Sequence, residues 1–309
     1  MNEFASGPMI VLAGEQAAPN LLPARQFQPS RVVILHTTLT KSKRMAENLA
    51  LCLQELQPEL RPIADYDPAR AIQTLEGLLV EFPRATVNIT GGTKPMSLAA
   101  LLAAREAQGQ PFYVRSQGAK TEVDIYVFDK RGLPVVGETV TISNTISIDD
   151  YLTVYFGKAY QCTGFTKSQG GVFERAVSTT LEPQVDEIKA GWKHESGAVD
   201  VDLVVRCNNQ IGIIEVKSGG IARTTEGIKQ LAVAGGQRFF GTYVRRILVI
   251  DQHWADKSNN RALAEALGIV LIELPGYAAT GTLDDAECAT LVDKVHSALG
   301  KPIKGEGTR

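Results

Sequence analysis

Cysteine is scarce in this chain. Among 309 residues there are four, Cys52, Cys162, Cys207 and Cys288, and none form a CxxC pair. No His-rich set accompanies them, so a zinc-organised or disulfide-stapled fold is excluded, and reduced thiols of the cytoplasm fit better. Charge of one sign is lacking too: 32 Lys and Arg against 34 Asp and Glu leave a net charge of −2. Long-range steering towards nucleic acid is therefore weak, and any such contact must rely on local charge. Lys189, Lys193, Lys229, Arg238, Arg245 and Arg246 crowd into the second half and offer some. No apolar run approaches the ~20 residues that span a bilayer. Met1 to Pro8 lacks the basic and apolar regions of a signal peptide. From these absences a cytoplasmic protein with no membrane partner is expected. Hydrophobic residues at 44% and charged residues at 21% are ordinary for a globular protein, and the length suggests two domains.

The first half alternates strands and helices. Met9–Ala13, Arg31–Thr37, Thr86–Thr90 and Pro111–Arg115 read as strands, while 42–56, 68–82 and 96–107 have apolar residues at helical spacing. Such alternation predicts a largely parallel sheet with helices on both faces. Val123–Phe128 and Leu133–Thr141 read as a hairpin turning at 129–132. A short helix is expected from Ser147 to near Gly157, and a flexible join at 164–171. The second half then reads helix 172–181, strand 185–190, a strand pair, helix 225–234, strand 246–250, helix 260–267 and strand 269–274. A polar, disordered tail is expected after Gly300.

The strand pair carries the strongest signal. Val199–Val205 and Ile211–Lys217 are short β-branched runs separated by Asn208-Asn209, which suits a tight hairpin turn. Folding back brings Asp202 beside Glu215, and Glu215 and Lys217 emerge on one face. Two adjacent carboxylates repel unless one is protonated or a divalent cation sits between them. Hard oxygens suit Mg2+ or Mn2+. The neighbouring lysine can orient a water or neutralise charge on a phosphate, which is the chemistry of metal-dependent phosphodiester hydrolysis. The competing reading is a surface hairpin with solvated charges, against which the apolar flanks Ile214 and Val216 argue.

A second constellation is Thr90-Gly91-Gly92-Thr93-Lys94-Pro95, which follows a buried strand and opens a helix. Glycines permit close backbone approach, Pro95 suits a first helical turn, and main-chain N–H groups with Lys94 form an anion site. The spacing is not that of a Walker A loop. Ordinary strand–helix capping is the alternative. Thr37 and Thr38 end another strand on the same sheet edge, and Gln16 and Asn20 follow the first strand into the same crevice. His36 reads as a packed or capping residue.

Asp202 with Glu215-Val216-Lys217 resembles the PD-(D/E)XK nuclease superfamily, with Glu174 on the preceding helix and Gln230 on the following one in the places that family uses. Joined to a Rossmann-like half carrying Gly14-Glu15-Gln16, Pro19–Pro23 and Thr90–Lys94, the whole is similar to the CRISPR-associated Rossmann fold (CARF) effectors. It is most similar to the CRISPR ancillary nucleases with a restriction-endonuclease-like C-terminal domain. That resemblance implies an α/β chain with a CARF ligand-sensing domain at 1–145, a linker region at 146–170 and a nuclease domain at 171–300. It implies a homodimer that binds a cyclic oligoadenylate, most simply cyclic tetra-adenylate, whose twofold symmetry matches an isologous pair. Binding would activate cutting of single-stranded DNA or RNA. Carried over by residue, Asp202, Glu215 and the Val216 carbonyl would hold Mn2+ or Mg2+. Lys217 would assist the water or the developing charge, and Glu174 would hold metal directly or through water. Thr90, Gly91, Gly92, Thr93 and Lys94, with Thr37, Thr38, Gln16 and Asn20, would contact the activator. Asp200, on the same strand face as Asp202, is the other candidate ligand. Two further readings remain: a cyclic-nucleotide sensor without catalysis, and a restriction or repair nuclease that needs no activator.

Overall fold

The computed structural model describes residues 7–117 and 120–302. The chain forms two compact units, one running to Ile146 and taking in Thr153–Gly157, the other made of Ser147–Leu152 and the chain from Lys158.

The first unit is built on β1 (Met9–Leu12), α1 (Ala18–Phe27), β2 (Val32–His36), α2 (Thr40–Cys52), β3 (Glu59–Pro62), α3 (Pro68–Glu81), β4 (Thr86–Asn88) and α4 (Lys94–Glu106). It continues with β5 (Gln110–Gln117), β6 (Lys120–Phe128) and β7 (Pro134–Ile142). Its sheet has the order β3-β2-β1-β4-β5-β6-β7. The first five are parallel neighbours and the last two are antiparallel. β1, β2 and β4 are buried almost throughout, which is why β1 and β2 read as near-continuous apolar runs rather than alternating ones, whereas β4 buries the polar Thr86 and Asn88 on either side of Val87. The chain winds outward from β1 to β3, then returns to place β4 on β1's other side. The sheet's topological switch therefore falls between β1 and β4, where open α/β sheets bind ligands at the strands' carboxyl ends.

Two elements here escaped the sequence pattern. Strand β3 is Glu-Leu-Arg-Pro, with no apolar alternation, and it forms because its backbone pairs with β2. Helix α1 carries Pro19 near its start and Pro23 inside, yet Leu21, Leu22, Pro23 and Ala24 are buried. Burial outweighs the hydrogen bond that an internal proline removes.

The second unit holds most of α5 (Ile148–Phe156), then β8 (Tyr160–Cys162), α6 (Gln169–Leu181), β9 (Glu187–His194), β10 (Asp200–Cys207), β11 (Gln210–Lys217) and α7 (Glu226–Ala234). It ends with β12 (Arg245–Ile250), α8 (Asn259–Ala266), β13 (Ile269–Glu273), α9 (Pro275–Thr280) and α10 (Asp285–Leu299). The sheet order is β13-β12-β11-β10-β9-β8. Strands β11, β12 and β13 run parallel, and β8 to β11 are antiparallel. Its core joins Phe173, Val177 and Leu181 of α6 to Leu203, Ile214 and Val216 of the sheet and to Leu291, Val295 and Leu299 of α10. Helix α6 starts at Gln169, capped by Ser168, inside the segment read as a flexible join. Helix α10 was not read from the sequence. The expected tail falls, from residue 303, outside the described residues, as do residues 1–6.

Candidate functional site

Strands β10 and β11 form the expected hairpin. Cys207 pairs with Gln210 across Asn208-Asn209, and Asn208 takes the left-handed conformation with φ 57°, which asparagine tolerates best among residues with a side chain. The ladder runs out to Leu203 opposite Ile214. Asp202 and Glu215 are the next positions on the two strands. Asp202 Oδ2 accepts the Val216 N–H at 2.7 Å, so the carboxylate is tied to the strand carrying Glu215. Asp200, two residues earlier, is exposed. Of the two acids, Asp202 is the one that reaches the facing strand.

Glu215 is 2% exposed. Its Oε1 accepts from Lys217 Nζ, and its Oε2 is buried without a hydrogen-bond partner. Burial, reinforced by the Asp202 charge and opposed by Lys217, pushes the Glu215 carboxyl up to about 8. Burial also raises Asp202, against the pull of Lys217 and the Val216 N–H. Glu174 on α6 is raised by burial first and by Asp202 second, so the sheet and α6 bring it within electrostatic reach of the pair. Burial alone would lower the Lys217 ammonium, but Glu215 and Asp202 outweigh it and the net shift is upward. Two buried carboxylates and one ammonium therefore leave an excess negative charge that must be met by a proton or a cation.

Two residues the sequence reading did not single out shape this corner. A Cβ at Gly227, in the first turn of α7, would stand 2.6 Å from Leu248 Cδ1 and 3.3 Å from Lys217 Cγ. Glycine here lets the helix lie close on the Glu215 and Lys217 stems without displacing the Leu248 side chain. Asp251, buried at the end of β12, accepts the Gly219 N–H on both oxygens at 3.0 and 2.9 Å, and its own N–H donates to the Lys217 carbonyl. It fixes the chain just beyond Lys217. Among the described residues no three His, Cys, Asp or Glu side chains are close enough to hold a metal ion. The donor set is therefore two carboxylates plus main chain, with Glu174 outside it. The unpaired Glu215 Oε2 and the hard-oxygen character of the set fit a divalent cation.

In the first unit, Thr90–Lys94 joins β4 to α4 at the sheet's switch point. Gly91 is packed onto the end of β1, where an added Cβ would stand 2.1 Å from the Leu12 carbonyl oxygen. Gly92 has φ 73°. Thr93 caps α4, accepting the Met96 N–H and donating to the Asp65 carbonyl at 2.7 Å. Thr90 Oγ1 accepts the Val114 N–H at 2.7 Å. Lys94 is exposed in the first helical turn. Thr38 is exposed as well, whereas Thr37 is 3% exposed and its hydroxyl accepts the Leu39 N–H. Gln16 is half-buried and accepts from the Tyr155 hydroxyl. Asn20 is 1% exposed. It donates to the Leu12 carbonyl at 2.8 Å and accepts from Asn88 Nδ2 at 2.9 Å. The geometry makes Asn20 and Asn88 a brace beneath the loop. A Gly91→Ala substitution is expected to lower stability by about 1–3 kcal/mol, since the clash is with backbone. Thermal unfolding would read this as a loss of several degrees, and an unchanged midpoint would contradict the packing.

Residues 9–151 match the family model of the Card1 CARF domain. The first unit has the CARF fold. Across the whole chain, the fold matches Can2 from Sulfobacillus thermosulfidooxidans, solved with cyclic tetra-adenylate, at a TM-score of 0.71 and 15% identity over 94% of this chain and 99% of that one. Protein VC1899 from Vibrio cholerae matches at 0.71 and 13%, over 96% and 99%. A type III CRISPR defence DNA nuclease activated by cyclic oligoadenylate matches at 0.65 and 16%, over 98% of this chain and 53% of that one. No curated protein is significantly similar in sequence. Among the described residues no helix is long and apolar enough to cross a membrane.

Proposed function

We propose that the chain is a cyclic oligoadenylate-activated, metal-dependent nuclease of type III CRISPR defence, acting in the cytoplasm as a homodimer on single-stranded DNA or RNA. In this reading residues 1–145 sense the activator, 146–170 join the halves, and 171–300 form a PD-(D/E)XK, restriction-endonuclease-like domain. The observation that carries it is Glu215: buried, with one oxygen unpaired, beside Asp202 and in contact with Lys217. Gathering two carboxylates and a lysine in a largely buried corner costs stability, which supports a chemical role for the cluster. The likeness of the first unit to a CARF domain, and of the whole to proteins that bind or respond to cyclic oligoadenylate, supports the activator.

Asp202, Glu215 and the Val216 carbonyl would hold Mn2+ or Mg2+, with Glu174, which lies outside that set, reaching it through water. When bound, such a cation supplies an activated water and polarises the phosphodiester. Lys217 keeps its proton beside the carboxylates and offers an ammonium to the negative charge that develops on phosphate. The Val216 N–H holds Asp202 at the strand junction, and Asp251 anchors the turn that follows Lys217. At the activator edge, Lys94 and the N–H groups of Gly91, Gly92 and Thr93 meet phosphates of the cyclic ligand, at the start of a helix whose dipole favours anions.

The test is cleavage of labelled single-stranded DNA, single-stranded RNA and supercoiled plasmid with Mn2+ or Mg2+, with and without cyclic tetra- and hexa-adenylate. Cutting that depends on one cyclic ligand is the expected result. Cutting without any ligand favours a nuclease that needs no activator. Ligand binding with no cutting favours a sensor without catalysis. Lys94→Ala is expected to weaken cyclic tetra-adenylate binding about tenfold, the worth of one charge-assisted phosphate contact. Calorimetric titration checks it, and unchanged affinity removes Lys94 from the site.

A further inference from the structure

A cavity of about 210 Å³ opens between the β9–β10 turn and α7, lined by Ala198, Val199, Asp200, Lys229, Gln230 and Val233. Nothing in the proposed hydrolysis uses it. We infer that it receives one unpaired nucleobase of the strand being cut, an inference that rests on the nuclease reading and specifies its substrate.

Place, size and lining all bear on this. Asp200 lies two residues before Asp202 on the same face of β10, and it acts electrostatically on both Asp202 and Glu215. On the other wall, Gln230 sits one helical turn beyond Gly227, whose backbone approaches Lys217 and Glu215, and Val233 follows on the exposed side of α7. The cavity is therefore about one helical turn, roughly 5.4 Å, beyond the carboxylates. Its volume is below the roughly 300–1,000 Å³ of sites for drug-sized ligands, which leaves room for a single ring system and not for a base pair. Ala198, Val199, Val233 and the Lys229 stem give apolar walls for the face of a base. Lysines stand at its edges for the attached phosphates: Lys229 in the lining, and Lys193 paired with Asp200 across β9 and acting on Asp202. Gln230 brings a buried Oε1 that has no hydrogen-bond partner, which an amino group of a base would satisfy. A base held in a duplex cannot enter without leaving its stack and partner, so the cavity selects single strands.

The experiment uses the full chain with MnCl2, cyclic tetra-adenylate and end-labelled single-stranded DNA carrying one abasic residue at successive positions. The abasic residue is expected to suppress cutting about tenfold at one bond, at a fixed offset, and to leave other bonds unaffected. Val233→Trp fills the cavity from the helix, where Val233 is 52% exposed, so the fold should persist; Ala198→Trp fills it from the exposed turn. Each should slow cutting of the intact strand by a similar factor and add little at the bond already suppressed, because both remove one interaction. Equal cutting at every offset overturns the subsite and leaves the nuclease reading standing. An abasic effect with neither tryptophan variant impaired places the base elsewhere and overturns the cavity. Absence of cutting by the unmodified protein on every strand overturns the nuclease reading and the subsite with it.

Discussion

Glu215→Ala and Lys217→Ala, made separately, are each expected to lower activator-dependent cutting by about 10²–10³-fold or more, the scale of removing one group that stabilises transition-state charge. Glu215 is the only acid of the hairpin that is almost fully buried, and its Oε2 is buried without a hydrogen-bond partner. Removing it takes away one of the two carboxylates proposed to hold the cation and leaves Asp202, tethered by the Val216 N–H, as the other. Lys217 loses its carboxylate partner in the first variant and its ammonium in the second. The two defects should therefore not add in the double variant, because each disables the same cluster. Cyclic tetra-adenylate binding should persist in all three, since Thr90–Lys94 belongs to the other compact unit, with its own core. Wild-type cutting by Glu215→Ala would remove the hairpin from the reaction.

The second expectation concerns stability without metal. Glu215 titrates near 8 in the folded protein against about 4.5 when unfolded, with burial the main cause. Between those values the folded state binds the extra proton, so stability falls as pH rises from about 4.5 through about 8. Asp202 and Glu174 are shifted in the same direction and add to the slope. Lys217 is shifted upward from an already high value and does not contribute in this window. In EDTA, Glu215→Gln should match the parent near pH 5 and exceed it near pH 8.5. The gap should be about 1–3 kcal/mol, given 1.4 kcal/mol per unit and the partial compensation from Lys217. In a unit of this size that is about 2–4 °C in melting temperature per kcal/mol. Adding MnCl2 should reverse the order at high pH, stabilising the parent and not the glutamine variant. Parallel pH profiles for the two proteins would show that Glu215 is not held unpaired.

Local rules carried a large part of this fold. Near-continuous apolar runs identified β1 and β2, Asn208-Asn209 placed the β10–β11 turn, and the alternation of side chains along β11 put Glu215 and Lys217 on one face. The same rules applied to 285–299 would have found α10, since Asp284 caps it by accepting the Glu287 N–H and Leu291, Val295 and Leu299 recur every fourth residue. Strand β3 was beyond them, because its residues carry no pattern and only the edge of β2 holds it there. Helix α1 was beyond them for the opposite reason: two prolines argue against a helix that tertiary burial nonetheless holds.

The chemistry divides in the same way. Residue types and spacing along the chain determined which carboxylates and which lysine could meet, because a two-residue turn leaves one register for the hairpin. Which oxygen stays unpaired, that Asp202 rather than Asp200 reaches the facing strand, and that Asn20 braces the loop were decided by tertiary packing. So were the parts played by Gly227 and Asp251, one by yielding space to the Glu215 and Lys217 stems and the other by anchoring the turn after them. Those outcomes depend on how close separate elements come and how much water they exclude, and neither quantity is written in the order of residues along one strand.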